Sequence, residues 1–134
     1  MTLTEVLIGI TIMLMSIAIA IPSLLQERET YELQSAARMV ESRMQSARIH
    51  AVTRNRDCRI NLTSPSTYVV ECQGSTWETI ESVSLPRGMT ASASARPEFH
   101  ERGNVAPTAT ITVWNSQGRS LRIIVNVNGR VRIQ

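Results

Sequence analysis

From Val6 to Ile21 the chain carries no charge, and the apolar run ends at Pro22. A helix over Leu3 to Ile21 is about 28 Å long at 1.5 Å per residue, close to the thickness of membrane hydrocarbon. No basic residue precedes the run and no small-residue cleavage site follows it, so it reads as a retained anchor rather than a cleaved secretory signal. Glu5 sits inside this Leu3 to Ile21 helix, near its start, where a carboxylate is costly and calls for a specific partner. Pro22 removes one helical hydrogen bond and is expected to kink or loosen the helix.

Beyond Pro22 the period becomes that of a one-sided helix. Leu33, Ala36, Val40, Met44, Ala47 and Ala51 recur at steps of three and four, while Glu27, Arg28, Glu32, Arg38, Glu41, Arg43 and Arg48 lie mainly off that stripe. Arg28 and Glu32, and Arg38 and Glu41, are spaced to pair. The spacing predicts one helix of about fifty residues, apolar all round at first and amphipathic afterwards.

The remainder reads as strands. CRINLT and TYVVEC flank Ser64-Pro65-Ser66, and closing that three-residue turn sets Thr63 opposite Thr67, Leu62 opposite Tyr68 and Ile60 opposite Val70. The same register brings Cys58 opposite Cys72 and Arg59 opposite Glu71. Trp77 to Leu85 is a further strand, stopped by Pro86 and Gly88. Thr90 to Ala109, rich in Ala, Ser, Pro and charge, reads as a long excursion with one short strand at most. The end is a three-stranded meander: TITVWN, a turn at Ser116-Gln117-Gly118, RSLRIIVNV, a turn at Asn128-Gly129, then RVRIQ. A three-residue turn with a glycine bulge sets Val127 opposite Val131 and Val125 opposite Ile133. It points Ile111, Val113, Leu121, Ile123, Val125, Val127, Val131 and Ile133 inward. The outer face then carries Thr112, Trp114, Ser120, Arg122, Ile124, Asn126, Arg130 and Arg132.

With the apolar run set aside, about a hundred residues of the 134 must build the core, and a domain that small needs a staple or a partner. Cys58 and Cys72 supply the staple: opposed strand residues lie about 4.5–5.5 Å apart at Cα, within reach of a disulfide. Free thiols or a share in a metal site are the other uses of two cysteines, but only His50 and His100 could complete a Cys/His site. A disulfide places the folded part outside the cytoplasm.

The net charge is +3, all fourteen basic residues are arginine, and from Asn104 to Gln134 there are four arginines and no acid. Arginines on an outer sheet face, with Trp114 to stack a base, suit non-specific nucleic-acid binding. Solvated arginines that discourage edge aggregation are the plainer reading. The sequence holds no nucleophile motif, glycine-rich phosphate loop or clustered carboxylates. His50 on the helix and His100 in the excursion read as solvated. No enzyme, cofactor or resident metal is expected.

Met1-Thr2-Leu3-Thr4-Glu5, the run Val6 to Ile21, and Pro22 resemble the mature amino terminus of type IV pilins and type II secretion pseudopilins. ESRMQSARIHAVTRNRDCRINLT and the closing TITVWNSQGRSLRIIVNVNGRVRIQ resemble the GspH/FimT-like branch: minor pseudopilin H and minor pilins T and U. The resemblance implies an α+β pilin fold, a long amino-terminal helix packed on a carboxy-terminal antiparallel β domain. It divides the chain into a hydrophobic helix over 1–22, its amphipathic half over 23–53 and a disulfide-bonded β domain over 54–134.

It further implies processing and methylation at Met1, and pairing of Glu5 with a subunit's terminal amine. Further copies of the chain in a homo-oligomeric helical filament or other pilins co-assembled with it, prepilin peptidase and inner-membrane assembly machinery are the implied partners. The protein would rest in a bacterial inner membrane, then join an extracellular pilus or a periplasmic pseudopilus. Gly129-Arg130-Val131-Arg132 matches a Gly-Arg-x-Arg motif through which some pilin T relatives bind DNA. The chain is thus expected to be a structural filament subunit, with DNA uptake or type II secretion as alternative roles.

Overall fold

The computed structural model describes the backbone from Thr2 to Gln134, and the side chains of these residues apart from Ala20, Pro22, Ser23 and Gln26. The expectations for Met1, and for a loosening effect of the Pro22 ring, fall outside the described residues. Helix α1 spans Leu3–Arg54, 52 residues. The chain divides into two compact units, one ending at Glu32 and one spanning Leu33–Gln134.

In the first unit the apolar side chains are bare all round the helix, from Leu3 at 79% exposure to Ile19 at 77%. Arg28 pairs with Glu32 at 3.1 Å, both well exposed, so the pair adds only a few tenths of a kcal/mol. Among the described residues no helix is long and apolar enough to cross a membrane.

In the second unit the helical stripe is buried as its spacing predicts: Leu33, Ala36, Val40, Met44, Ala47 and Ala51, joined by Ala37. Five of these seven are Ala or Val, side chains small enough for a narrow helix face. The helix stops at Asn55, whose φ of 52° puts it in the left-handed region that asparagine tolerates. The amide of Arg56 closes the end by donating to the carbonyl of Ala51 at 3.1 Å.

Two four-stranded antiparallel sheets follow. The first contains β1 (Cys58–Ser64), β2 (Thr67–Gln73), β3 (Trp77–Ser84) and β5 (Glu98–Phe99) in the order β3-β2-β1-β5. The β1–β2 register matches the expectation from Cys58↔Cys72 through Leu62↔Tyr68. It then slips, because a bulge between Leu62 and Ser64 sets Ser64, not Thr63, opposite Thr67. One extra residue on β1 tightens the turn to Pro65-Ser66.

The second sheet contains β4 (Thr90–Ala93), β6 (Ala109–Trp114), β7 (Ser120–Val125) and β8 (Val131–Ile133) in the order β4-β6-β7-β8. The excursion therefore holds two short strands rather than one. β4 escapes sequence reading because Thr-Ala-Ser-Ala has little intrinsic strand preference; its pairing with β6, Ala91↔Val113 among others, makes it a strand.

The last hairpin also departs from expectation. Val125 faces Val131 and Ile123 faces Ile133, a slip of two residues from the register expected. The loop is Val127-Asn128-Gly129, closed by the Asn126 amide on the Arg130 carbonyl at 3.0 Å. Its last position needs a left-handed residue, and Gly129, φ 72°, fills it; the expected register would have put Arg130 there. A two-residue slip preserves the faces, so the inward set holds except Val127, which lies on the loop at 60% exposure. The core joins the helical stripe with Ile60, Tyr68, Val70, Phe99, Val105, Ile111, Val113, Ile123 and Val125.

Candidate functional site

At the amino-terminal end, Thr2 precedes the first helical residue and Glu5 is the third inside it. The Thr2 amide donates to Glu5 Oε2 at 2.9 Å, the Thr2 hydroxyl donates to the same oxygen at 3.0 Å, and the Glu5 amide donates to the Thr2 carbonyl at 3.0 Å. Thr-x-x-Glu is a capping-box spacing, and here the glutamate reaches back to the cap residue's amide. The expected function of Glu5 as a partner for an amine leaves this local task unnoticed, although the four-residue signature Thr2-Leu3-Thr4-Glu5 is legible.

The arginine face lies on the second sheet. Thr112↔Arg122 and Ile124↔Arg132 are cross-strand pairs, and Arg122 exchanges backbone hydrogen bonds with Gln134 at 2.8 and 2.7 Å. Strand alternation puts Arg122, Arg130 and Arg132 on one face, all exposed. Trp114 shares that face, half-buried, on β6 opposite Ser120. Among the described residues no salt bridge engages Arg122, Arg130 or Arg132. They are uncompensated charges on a face with no acid in its last three strands.

Gly129 does not belong to that face. It is buried, and a side-chain carbon added there would run into the Gly103 carbonyl and meet Arg48 Nε at 2.8 Å. From α1, Arg48 Nε donates to the Gly103 carbonyl at 3.0 Å and Nη2 to the Asn128 carbonyl at 3.3 Å. The glycine of Gly129-Arg130-Val131-Arg132 thus shapes the turn that presents Arg130.

A third cluster had no signal along the sequence. His100 is not simply solvated: its Nδ1 lies 3.1 Å from Asp57 Oδ1, with both side chains about two-thirds buried. Glu98 joins them, and the three donor atoms lie within 4.8 Å of one another. The Cys58–Cys72 disulfide is formed at the residue next to Asp57 and joins β1 to β2, with Cα atoms 4.0 Å apart. On the other side of β1, Arg59 Nε donates to Glu71 Oε2 at 2.6 Å, as the register predicts, and stacks on Trp77 at 3.9 Å.

A long amino-terminal helix carrying a disulfide-bonded antiparallel domain is a pilin architecture. Residues 36–129 match the family described as Type II transport protein GspH, and the chain belongs to that family. The fold is similar to the type IV minor pilin FimU of Pseudomonas aeruginosa, at 20% identity and TM-score 0.67 over 79% of this chain and 90% of that one. It is equally similar to the minor pseudopilin EpsH of the Vibrio cholerae type 2 secretion system, at 12% identity and TM-score 0.68 over 77% of this chain and 96% of that one. No curated protein sequence matches the chain. Arg130, Arg132 and the apolar run all lie outside the family match.

Proposed function

We propose that this protein is a minor subunit of a pilus-like filament, held in the inner membrane through residues 1–22 before assembly and packed by the same segment afterwards. The observation that carries this is the apolar helix of the first unit, whose described large apolar side chains, from Leu3 to Leu25, are bare. An apolar surface of that kind requires lipid or neighbouring helices. The reading covers a type IV pilus and a type II secretion pseudopilus, which share this architecture. Glu5 pairs with the terminal amine of Met1, on its own or a neighbouring subunit; leaving one partner of such a buried pair alone costs about 3–5 kcal/mol. Glu5→Leu should therefore abolish assembly while leaving the chain in the membrane. Filaments that incorporate Glu5→Leu as well as the parent chain contradict the pairing.

A second reading, DNA binding, is favoured by the exposed, uncompensated Arg122, Arg130 and Arg132 on the face that carries Trp114. Arg130→Ala with Arg132→Ala should weaken binding to duplex DNA and lower the slope of log affinity against log salt by about 1.8, at about 0.9 per lost phosphate contact. An unchanged slope removes those two arginines from any DNA interface.

A further inference from the structure

Asp57 lies between α1 and β1, and Glu98 and His100 flank the fully buried Phe99. The pairs Cys58↔Phe99 and Arg59↔Glu98 set Asp57 alongside His100 and turn all three side chains to one face, away from the core. We propose that Asp57, Glu98 and His100 bind a divalent transition-metal ion, with zinc the metal their chemistry fits.

Three features carry the assignment. The first is distance: zinc bonds of about 2.1 Å in a tetrahedral site hold donors about 3.4 Å apart. Asp57 Oδ1 and His100 Nδ1 stand at 3.1 Å, and no donor pair in the cluster exceeds 4.8 Å. Side-chain rotation of Glu98 over at most about 1.4 Å completes the set.

The second is charge. Two carboxylates offset a dication, and the one cation opposite Glu98 is engaged elsewhere. Arg59 bonds Glu71 at 2.6 Å and stacks on Trp77 at 3.9 Å, on the far side of β1 from β5. Among the described residues no hydrogen bond or ion pair holds the Glu98 carboxylate. An imidazole among the donors disfavours calcium and magnesium, which take oxygen ligands, and suits zinc.

The third is rigidity. The disulfide fixes Cys58, and the backbone of His100 is held by hydrogen bonds with Asn104 at 2.9 Å and Gly103 at 2.8 Å. A recess of about 480 Å³, lined in part by Asp57, Gln73, Glu78 and Glu101, adjoins the cluster and admits the water that completes the coordination. Zinc bound here ties the end of α1 to the segment between β4 and β6, whose main apolar anchors are Phe99 and Val105.

The test is calorimetric titration of zinc chloride into the detergent-solubilised, chelator-stripped full chain, with melting followed in parallel. Saturable binding of one zinc per chain and a melting point several degrees higher are expected. Glu98→Gln and His100→Ala should each lose the saturable phase, and His50→Ala should keep it. Cobalt on the unaltered chain should give the intense visible bands of a four- or five-coordinate nitrogen–oxygen site, a readout that needs no variant to fold. Absence of saturable binding, binding that survives Glu98→Gln and His100→Ala, binding lost in His50→Ala, or the weak spectrum of octahedral cobalt each overturns the proposal.

Discussion

Arg48 Nε donates to the carbonyl oxygen of Gly103 at 3.0 Å, joining the helix to a turn 55 residues further along the chain. The same guanidinium reaches the carbonyl of Asn128 at 3.3 Å, so one side chain holds two turns. The Val105 amide, which donates to the Val127 carbonyl at 2.8 Å, ties those turns to each other. Only a glycine at 129 leaves room for this arrangement, and its φ of 72° is itself unfavourable for other residues.

Gly129→Ala should therefore destabilise the folded domain by about 1–3 kcal/mol. Arg48→Met, which strips two carbonyls of a charged donor, should cost about 1–2 kcal/mol. Urea melts of the two variants and of the parent chain measure both. A Gly129→Ala variant with unchanged stability would mean that the turn is not held as described.

The disulfide closes a loop with a sequence separation of 14. In the chain-entropy model a loop of about 15 residues is worth about 3 kcal/mol. Replacing both cysteines by serine should lower the urea midpoint accordingly, and a reducing agent should do the same to the parent chain but not to the variant.

Tyr68 is 2% exposed and its hydroxyl has no hydrogen-bond partner among the described residues. Burial pushes its phenol up to about 12, with Arg43 pulling down and Glu81 pushing up more weakly. A folded-state value above the unfolded one means the neutral form is favoured by folding. Its contribution is complete below pH 10.0, the ordinary value, and is lost as pH rises through about 12. The chain has no lysine to titrate in that window. Stability should fall by up to about 2–3 kcal/mol between those limits. Tyr68→Phe should remove most of the fall and cost little at neutral pH, because no hydrogen bond is lost. An identical alkaline fall in Tyr68→Phe would exclude the phenol as its source.

Much of this architecture is legible along the chain because its periods are clean. The stripe from Leu33 to Ala51 and the alternation in β6, β7 and β8 each follow one period without interruption, and the Cys58↔Cys72 pairing follows from counting outward from one turn. What escapes reading is set by tertiary context. β4 has no apolar pattern of its own, and β5 is two residues around Phe99. The two-residue slip at the last hairpin leaves every face unchanged, so the buried pattern alone could not detect it; the left-handed position of Gly129 decides it. Asp57 and His100 are 43 residues apart, and only β5 brings them together. The arginine face is legible in full, whereas the structural task of Gly129 within its motif is not.

As a proposed filament subunit, this chain should enter the filament through its apolar helix. The most direct measurement is mass spectrometry of surface or periplasmic filaments sheared from the native cell and imaged by electron microscopy. Peptides of this chain are expected in the filament fraction at low stoichiometry, and a Glu5→Leu strain should lose them from that fraction but not from the membrane. Intact filaments that never contain the chain, while it accumulates elsewhere in the cell, would contradict it.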